Sequence, residues 1–139
     1  MTRVNTALVM LLLLAAAPAR ADAPLVTYHL EYGGIVGGVA DGTVQRDGRA
    51  TTASTRCDGR THHFRLRVKQ LRQLRADLRH ARRHAHPRER DVGGPEASLA
   101  EVTSRRLHLR YHGFGSVPRG AEPLVDDLYR IATMRCPNG

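Results

Sequence analysis

The sequence predicts an α+β fold in which one antiparallel β-sheet, a meander of about four strands plus a fifth, carries two α-helices on one face. The first observation is a run of alternating segments joined by Asp-Gly dipeptides in the first half of the chain. The second is a pair of leucine-rich segments with helical periodicity, one after these strands and one near the C-terminus. Two amphipathic helices suffice to cover one side of such a sheet, so we expect the other side to be partly open to solvent.

The strands are predicted from apolar residues that recur at every second position. In residues 25–32 the alternation places one face inward and the other outward, which is typical of a half-buried strand; the inward residues are Val26, Tyr28, Leu30 and Tyr32. Asp47-Gly48 and Asp58-Gly59 are strong hairpin dipeptides that separate the segments 42–46, 49–55 and 60–66. Together these signals predict a four-strand antiparallel meander over residues 26–66.

Helical spacing begins after the meander. Apolar residues then follow at steps of three and four, and Pro87 ends this helix because the residue before a proline is disfavoured in the α region; the apolar residues are Leu71, Leu74, Leu78, Ala81 and Ala85. Residues 86–97 are predicted to be a flexible linker within the domain, and residues 105–112 a fifth strand. A second amphipathic helix is predicted to begin at Pro123 and end near Met134.

The N-terminus has the pattern of a secretory signal peptide. Arg3 precedes an apolar run over residues 7–17, and Ala19-Arg20-Ala21 offers a small-x-small cleavage site. We therefore expect residues 1–21 to be removed, leaving residues 22–139 as one domain that is secreted, periplasmic or bound in the cell envelope. An apolar run of this length is too short for a transmembrane helix, which needs about 20 residues.

Export gives the two cysteines a structural role. In an oxidising compartment Cys57 and Cys136 are expected to form an intramolecular disulfide, because neither has a second cysteine nearby for a Cys-x-x-Cys motif. Closing a loop of this length stabilises a small domain by roughly 4 kcal/mol in the chain-entropy model.

The chain is basic, with 22 Lys and Arg residues against 13 Asp and Glu. Only Lys69 is a lysine, so part of the arginine excess is also explained by a GC-rich coding bias. One helix face nevertheless carries a second stripe beside the leucines, composed of Arg72, Arg75, Arg79 and Arg82. This stripe could contact an anionic polymer, a membrane surface or an acidic protein, or its stems could cover the rim of the core. The helix lacks aromatic residues for base stacking, so no specific nucleic-acid partner is expected.

Catalytic and metal patterns are weak. No Gly-x-Ser-x-Gly elbow is present, and Asp126 and Asp127 are adjacent on a helix, so their side chains point in different directions. Asp77, His80 and His84 have ligand spacing, but the arginines that flank them would repel a cation. We therefore expect neither an enzyme nor a metal or cofactor site.

A glycine-rich segment follows the first strand and is composed of Gly33, Gly34, Ile35, Val36, Gly37 and Gly38. It leads into another strand and not into a helix, which excludes a dinucleotide-binding fingerprint. A rigid glycine loop suits protein docking, since little entropy is lost on binding. Ile35 and Val36 are then either exposed anchors or core residues at a corner of the sheet.

Several short motifs occur in a fixed order along the chain. They are Tyr32-Gly33-Gly34-Ile35-Val36-Gly37-Gly38, Asp47-Gly48-Arg49-Ala50, Phe64-Arg65-Leu66 before the leucine helix, residues 107–113, and Val117-Pro118 before the last helix. Together they resemble the emfourin-like family of small bacterial inhibitors of thermolysin-like zinc metalloproteases. The resemblance spans about residues 25–132 and implies a strand meander with two packed helices. The chain departs from the family pattern at Arg67, where a Ser or Thr helix cap is expected, and at Ile35-Val36, where an aromatic residue followed by alanine is more usual.

Two functions of different class follow. The resemblance implies an exported inhibitor that docks on a secreted metalloprotease through segment 33–38 and the neighbouring sheet edge. The alternative is a non-enzymatic cell-envelope module that uses the arginine helix to engage an anionic polymer or protein partner.

Overall fold

The computed structural model describes residues 23–33, 37–85, 98–113 and 117–136. The predicted signal peptide and the predicted linker over residues 86–97 lie outside these ranges. Within them the chain forms an α+β fold, as the sequence predicts, with the elements β1 (Val26–Tyr32), β2 (Gly38–Val44), β3 (Arg49–Ser54), β4 (Thr61–Arg65), α1 (Val68–His84), β5 (Ser98–Ser104), β6 (Leu107–Gly113) and α2 (Glu122–Thr133).

All strands belong to one antiparallel sheet in the order β4-β3-β2-β1-β5-β6. The predicted meander is confirmed, and both Asp-Gly turns hold their glycine in the left-handed region, with φ of 91° at Gly48 and 68° at Gly59. The second strand begins and ends earlier than predicted, because Gly38 already pairs with Tyr32 and Val44 pairs with Val26. Two glycines are therefore part of β2, which hid its start in the sequence.

The sheet has six strands and not five. β5 pairs with β1 on one side and with β6 on the other, and the two residues between β5 and β6, Arg105 and Arg106, form the turn. The predicted fifth strand over residues 105–112 therefore corresponds to β6 and begins two residues late relative to that prediction. The sequence pattern does not predict β5, because its inward residues are only Ala100 and Val102 and because the turn that follows it lacks the Asn-Gly or Asp-Gly signal.

Both helices pack on one face of the sheet, where they bury a single apolar core. Four leucines of the helices are at most 1% exposed, namely Leu74, Leu78, Leu124 and Leu128. They pack against the inward residues of the central strands, such as Val26 and Leu30. Burying each side chain of this size contributes roughly 1.5–3 kcal/mol, so the two leucine stripes fix how the helices lie on the sheet.

The start of α1 shows how the chain manages without a Ser or Thr cap. The backbone N–H of Arg67 donates a hydrogen bond to Oε1 of Gln70 at 2.8 Å. This is one half of a capping box, supplied by a side chain of the first helical turn. The side chain of Gln70 therefore supplies part of the helix cap that a Ser or Thr at position 67 would otherwise provide.

The disulfide between Cys57 and Cys136 is present, as predicted, with a Cα–Cα distance of 5.0 Å. It joins the turn between β3 and β4 to the residues that follow α2. Because these two sites are 79 residues apart in the sequence, the bridge ties the last helix to the meander. Neither helix of the described residues has the length and apolar character needed to span a membrane.

The face of the sheet opposite the helices is polar, in agreement with the prediction of an open side. Four threonines stand in register across the sheet, with a histidine at each end, in the order His63, Thr51, Thr43, Thr27, Thr103 and His108. On the same face His29 lies between Glu31 and Asp41, with ring nitrogens 2.7 and 2.5 Å from their oxygens. Hydrogen bonds to Glu31 and then to Asp41 raise the pKa of His29 above its usual value.

Candidate functional site

The predicted docking loop is anchored on both sides. Gly34, Ile35 and Val36 lie outside the described residues, whereas the flanking glycines are described. On the β1 side, the N–H of Gly33 donates a hydrogen bond to Oγ of Ser98 at 3.3 Å. On the β2 side, Val39 exchanges hydrogen bonds with Thr55: its N–H donates to Oγ1 at 2.8 Å, and its carbonyl accepts from the Thr55 N–H at 2.9 Å. The two described ends of segment 33–38 are therefore held by hydrogen bonds to neighbouring strands and turns.

Three side chains form what we call the loop-base cluster, composed of Tyr32, Arg56 and Tyr129. The two tyrosine rings meet edge to face with their centroids 4.9 Å apart. The Arg56 guanidinium lies 4.8 Å from the centre of the Tyr32 ring, and its Nη1 donates a hydrogen bond to Oη of Tyr129 at 3.2 Å. Burial raises the pKa of Tyr32, so its hydroxyl stays protonated at neutral pH. Both tyrosines are half-buried and Arg56 is exposed, which leaves part of the cluster open beside the loop.

The cluster also explains one glycine of the loop. A Cβ atom at Gly38 would lie 2.7 Å from Cγ of Arg56, so the absence of a side chain there lets the arginine pack across the strand. This cluster is not visible in the sequence, because its members come from β1, the turn after β3 and α2. The only available signal was that tyrosines are scarce in this chain, with four in total.

A second surface feature is a pocket of about 300 Å³, which we call the arginine pocket. Its walls are formed by α1 and by the turns after β2 and β5, and its apolar floor by Leu25 and Leu78. The wall residues are six arginines: Arg46, Arg75, Arg79, Arg82, Arg105 and Arg106. The predicted arginine stripe is thus only half of a larger cationic site, which the fold completes with three arginines from two turns.

The stripe itself is divided by the fold. Arg75, Arg79 and Arg82 line the pocket, whereas Arg72 is exposed on α1 and is not part of the lining. In the sequence all four are equivalent, because they share one helix face. The structure separates them because the turns that carry Arg46, Arg105 and Arg106 lie beside Arg75, Arg79 and Arg82 and not beside Arg72.

Hydrogen bonds to neutral acceptors hold three of the pocket arginines in place. Nη2 of Arg75 donates to the carbonyl of Arg46 at 2.7 Å, and Nη2 of Arg82 donates to Oγ of Ser104 at 3.1 Å. Nε of Arg46 donates to the carbonyl of Ala23 at 3.3 Å. Within the described ranges no carboxylate lines the pocket and none of its six arginines forms an ion pair. The positive charge of the pocket is therefore not neutralised by these parts of the chain.

A buried carboxyl pair lies between the two helices. Asp77 of α1 and Asp127 of α2 are only 6% and 9% exposed, and they line the same small cleft. Nε2 of Gln73 donates to Oδ1 of Asp77 at 2.9 Å, while Oδ2 of Asp127 is buried without a hydrogen-bond partner among the described residues. Burial first, and then the hydrogen bond and charge of Asp77, raise the pKa of Asp127 from 3.8 to about 7. The pair thus holds a proton near neutral pH.

The sequence pattern does not predict this pairing, although the expectation that Asp126 and Asp127 point in different directions agrees with the structure. Asp127 does face a second carboxyl group, but the partner is Asp77 on the other helix and not the adjacent Asp126, which is exposed. The proposed spacing of Asp77 with His80 and His84 does not bring three ligands together, because Asp77 is buried against α2 while both histidines are exposed. The two histidine rings lie 4.6 Å apart on the helix surface.

One other group has the composition of a metal site, formed by Cys57, Asp58 and His62, whose ligand atoms lie within 4.8 Å of one another. The Cys57 sulfur is bonded to Cys136, so it is not available as a thiolate. His62 Nε2 lies 2.8 Å from Oδ1 of Asp58, and this hydrogen bond lowers the Asp58 pKa. The group is therefore better described as a hydrogen-bonded pair, His62 with Asp58, that holds the β3–β4 turn beside the disulfide.

Comparison with known proteins found no match for this chain among family models, curated proteins or solved structures. The resemblance to the emfourin-like family therefore stays a prediction from the motifs.

Proposed function

We propose that the protein is an exported, non-enzymatic inhibitor that docks on a secreted thermolysin-like zinc metalloprotease. The observation that carries this proposal is the loop-base cluster of Tyr32, Arg56 and Tyr129 beside segment 33–38. Tyrosine and arginine are the residue types most enriched at the energetic centres of protein interfaces. Their position next to the glycine segment gives the loop predicted from the resemblance a chemically suitable contact surface.

The way the loop is held also favours docking. Hydrogen bonds from Gly33 and Val39 fix its two ends, and the disulfide at Cys57 adjoins Arg56. A loop with a fixed base loses little conformational entropy when it binds, so more of the contact energy is available as affinity. Such a loop can block a substrate cleft by filling it, and no ligand to the protease zinc is required from the inhibitor.

The disulfide agrees with an extracellular or periplasmic location, because disulfides persist in oxidising compartments. Together with the predicted signal peptide over residues 1–21, it supports export of residues 22–139. An exported inhibitor would meet a secreted protease in the compartment where both are active.

The proposal is tested by titrating several thermolysin-class proteases with purified residues 22–139 and measuring residual activity. We expect stoichiometric inhibition. Arg56→Glu and Gly37→Phe should each weaken the inhibition constant by about thirtyfold or more, the effect of losing a contact worth at least 2 kcal/mol.

Arg72→Glu is the matched control, since it makes a similar charge change at an exposed site on α1, outside the loop base. It should leave inhibition unchanged, and melting temperatures should show that all variants are folded. The proposal would be contradicted if no tested protease is inhibited, or if neither Arg56→Glu nor Gly37→Phe weakens the inhibition.

A second candidate function is supported by a different observation. The arginine pocket favours a cell-envelope binding module that engages an anionic partner, because three arginines of the predicted stripe converge there with three others. The two functions use separate surfaces: Leu25, at the pocket, precedes β1, whereas segment 33–38 follows it.

A further inference from the structure

We infer that the arginine pocket is a binding site for a compact anion that carries several phosphoryl groups. This inference rests on the second candidate function, which it narrows from any anionic partner to one ligand chemistry and one site. It is independent of the inhibitor proposal, because the pocket and segment 33–38 lie at opposite ends of β1.

The first argument is the density of uncompensated charge. Six guanidinium groups from three separate chain segments surround a space of about 300 Å³. Among the described residues no carboxylate lines this space, and three of the groups, those of Arg46, Arg75 and Arg82, donate hydrogen bonds to carbonyl or hydroxyl oxygens. Like charges at such proximity repel one another, so a ligand with several negative charges relieves repulsion that the free fold retains.

The second argument is the donor chemistry. Arginine presents five N–H groups in a planar fork that matches the oxygens of a phosphoryl group, and it stays charged at all physiological pH values. Arg75 and Arg82 each use one Nη2 to contact the protein, so each keeps further donors for a ligand. These contacts also hold two of the forks in place before a ligand arrives, which reduces the entropy lost on binding.

The third argument is the shape and lining. The volume of about 300 Å³ is at the lower end for small-molecule sites, so it suits a small ligand or a short stretch of chain. None of the described residues that line the pocket is aromatic, and its apolar lining is formed by Leu25 and Leu78. A nucleobase would find no stacking partner there, which favours a ligand whose binding energy comes from its phosphoryl groups alone.

Calorimetric titration of residues 22–139 with tripolyphosphate, pyrophosphate and orthophosphate at matched ionic strength tests the inference. We expect the affinity to rise from orthophosphate to tripolyphosphate and to fall with added salt. Arg79→Gln, and separately the double variant Arg105→Gln with Arg106→Gln, should each weaken tripolyphosphate binding about tenfold or more, since hydrogen bonds between charged groups are lost.

Arg72→Gln is the matched control, because it removes one charge from the same helix without touching the pocket lining. It should leave tripolyphosphate binding within about twofold of the unmodified protein. All substituted arginines are exposed, so the variants should keep the melting temperature of the parent within a few degrees.

The outcomes distinguish the pocket proposal from the second candidate function, the cell-envelope binding module. Absent tripolyphosphate binding, or orthophosphate binding of equal affinity, would overturn the inference. So would equal weakening by Arg72→Gln and Arg79→Gln, since that result describes a diffuse basic surface. Binding of a long sulfated polymer that depends equally on Arg72 would leave the second candidate function standing while the pocket proposal fails.

Discussion

The buried carboxyl pair predicts that Asp127→Asn makes the protein more stable at alkaline pH and leaves it nearly unchanged in mild acid. In the folded chain the pKa of Asp127 is raised from 3.8 to about 7, so the fold retains a proton that the unfolded chain releases. The contribution of Asp127 to the free energy of unfolding is therefore greatest below about pH 4 and is lost as the pH rises through 7. An asparagine carries no charge at any pH and so escapes this loss.

The magnitude follows from the size of the shift. A difference of about three pH units, at 1.36 kcal/mol each, corresponds to up to about 4 kcal/mol of stability lost between pH 4 and pH 8. Asp127 is 9% exposed and its Oδ2 has no hydrogen-bond partner among the described residues, so burial is the main cause of the raised pKa, while Arg130, 3.8 Å from Oδ1, opposes it. A loss of this size is a large fraction of the stability of a small domain.

Urea denaturation at pH 4.5 and pH 8, with the disulfide intact, measures the effect. Asp127→Asn should match the parent within about 1 kcal/mol at pH 4.5 and exceed it by up to about 4 kcal/mol at pH 8. Asp126→Asn, an exposed neighbour on the same helix, is the control and should follow the parent at both pH values. His29 lies on the opposite face of the sheet, so its titration contributes equally to all three proteins. Parallel pH profiles for the parent and Asp127→Asn would refute a shared proton at this pair.

Three further predictions concern stability. Replacing Cys57 and Cys136 together by alanine should lower the unfolding free energy by about 4 kcal/mol, measured in urea, because the bridge closes a 79-residue separation; an unchanged midpoint would count against that role. Gly120→Ala should destabilise the protein by at least about 1 kcal/mol more than Gly59→Ala in thermal unfolding. Both glycines have positive φ, but only at Gly120 would a Cβ atom contact backbone, 2.7 Å from the carbonyl carbon of His84. Equal losses of stability in the two variants would show that the backbone at His84 moves away from the new Cβ at little cost. Tyr28→Phe should leave the free energy of unfolding unchanged or raise it by about 1 kcal/mol, since the Tyr28 hydroxyl is buried without a hydrogen-bond partner among the described residues. A loss of more than about 2 kcal/mol would show that this hydroxyl does form a hydrogen bond in the folded protein.

The elements that the sequence predicted well are those whose signal is local. Alternation in residues 25–32 and the Asp-Gly turns at Gly48 and Gly59 follow from backbone geometry over a few residues. The leucine spacing of α1 is equally local, and it predicted the buried face correctly. The disulfide followed by elimination, because only two cysteines are present.

The weak points of the prediction also have local causes. β5 carries few large inward side chains and turns on Arg105 and Arg106, so neither alternation nor turn chemistry distinguished it from the preceding linker. β2 begins at a glycine, and its start was therefore assigned to the loop. In both strands the pairing partners in the sheet, and not their own propensity, determine the conformation.

The sequence by itself determined the fold class, the covered face of the sheet and the cysteine pairing, because repeating patterns and simple counts encode them. Only the tertiary structure decided which charged and aromatic side chains meet. Tyr32 contacts Arg56 and Tyr129, and Asp77 faces Asp127, across about 20 to 100 residues of chain. The arginine pocket likewise unites two turns with one helix, and it excludes Arg72 although that residue shares the helix face. Such sites depend on how helices and turns pack against one sheet, and that packing follows from the sum of all core contacts and is not visible in any short segment.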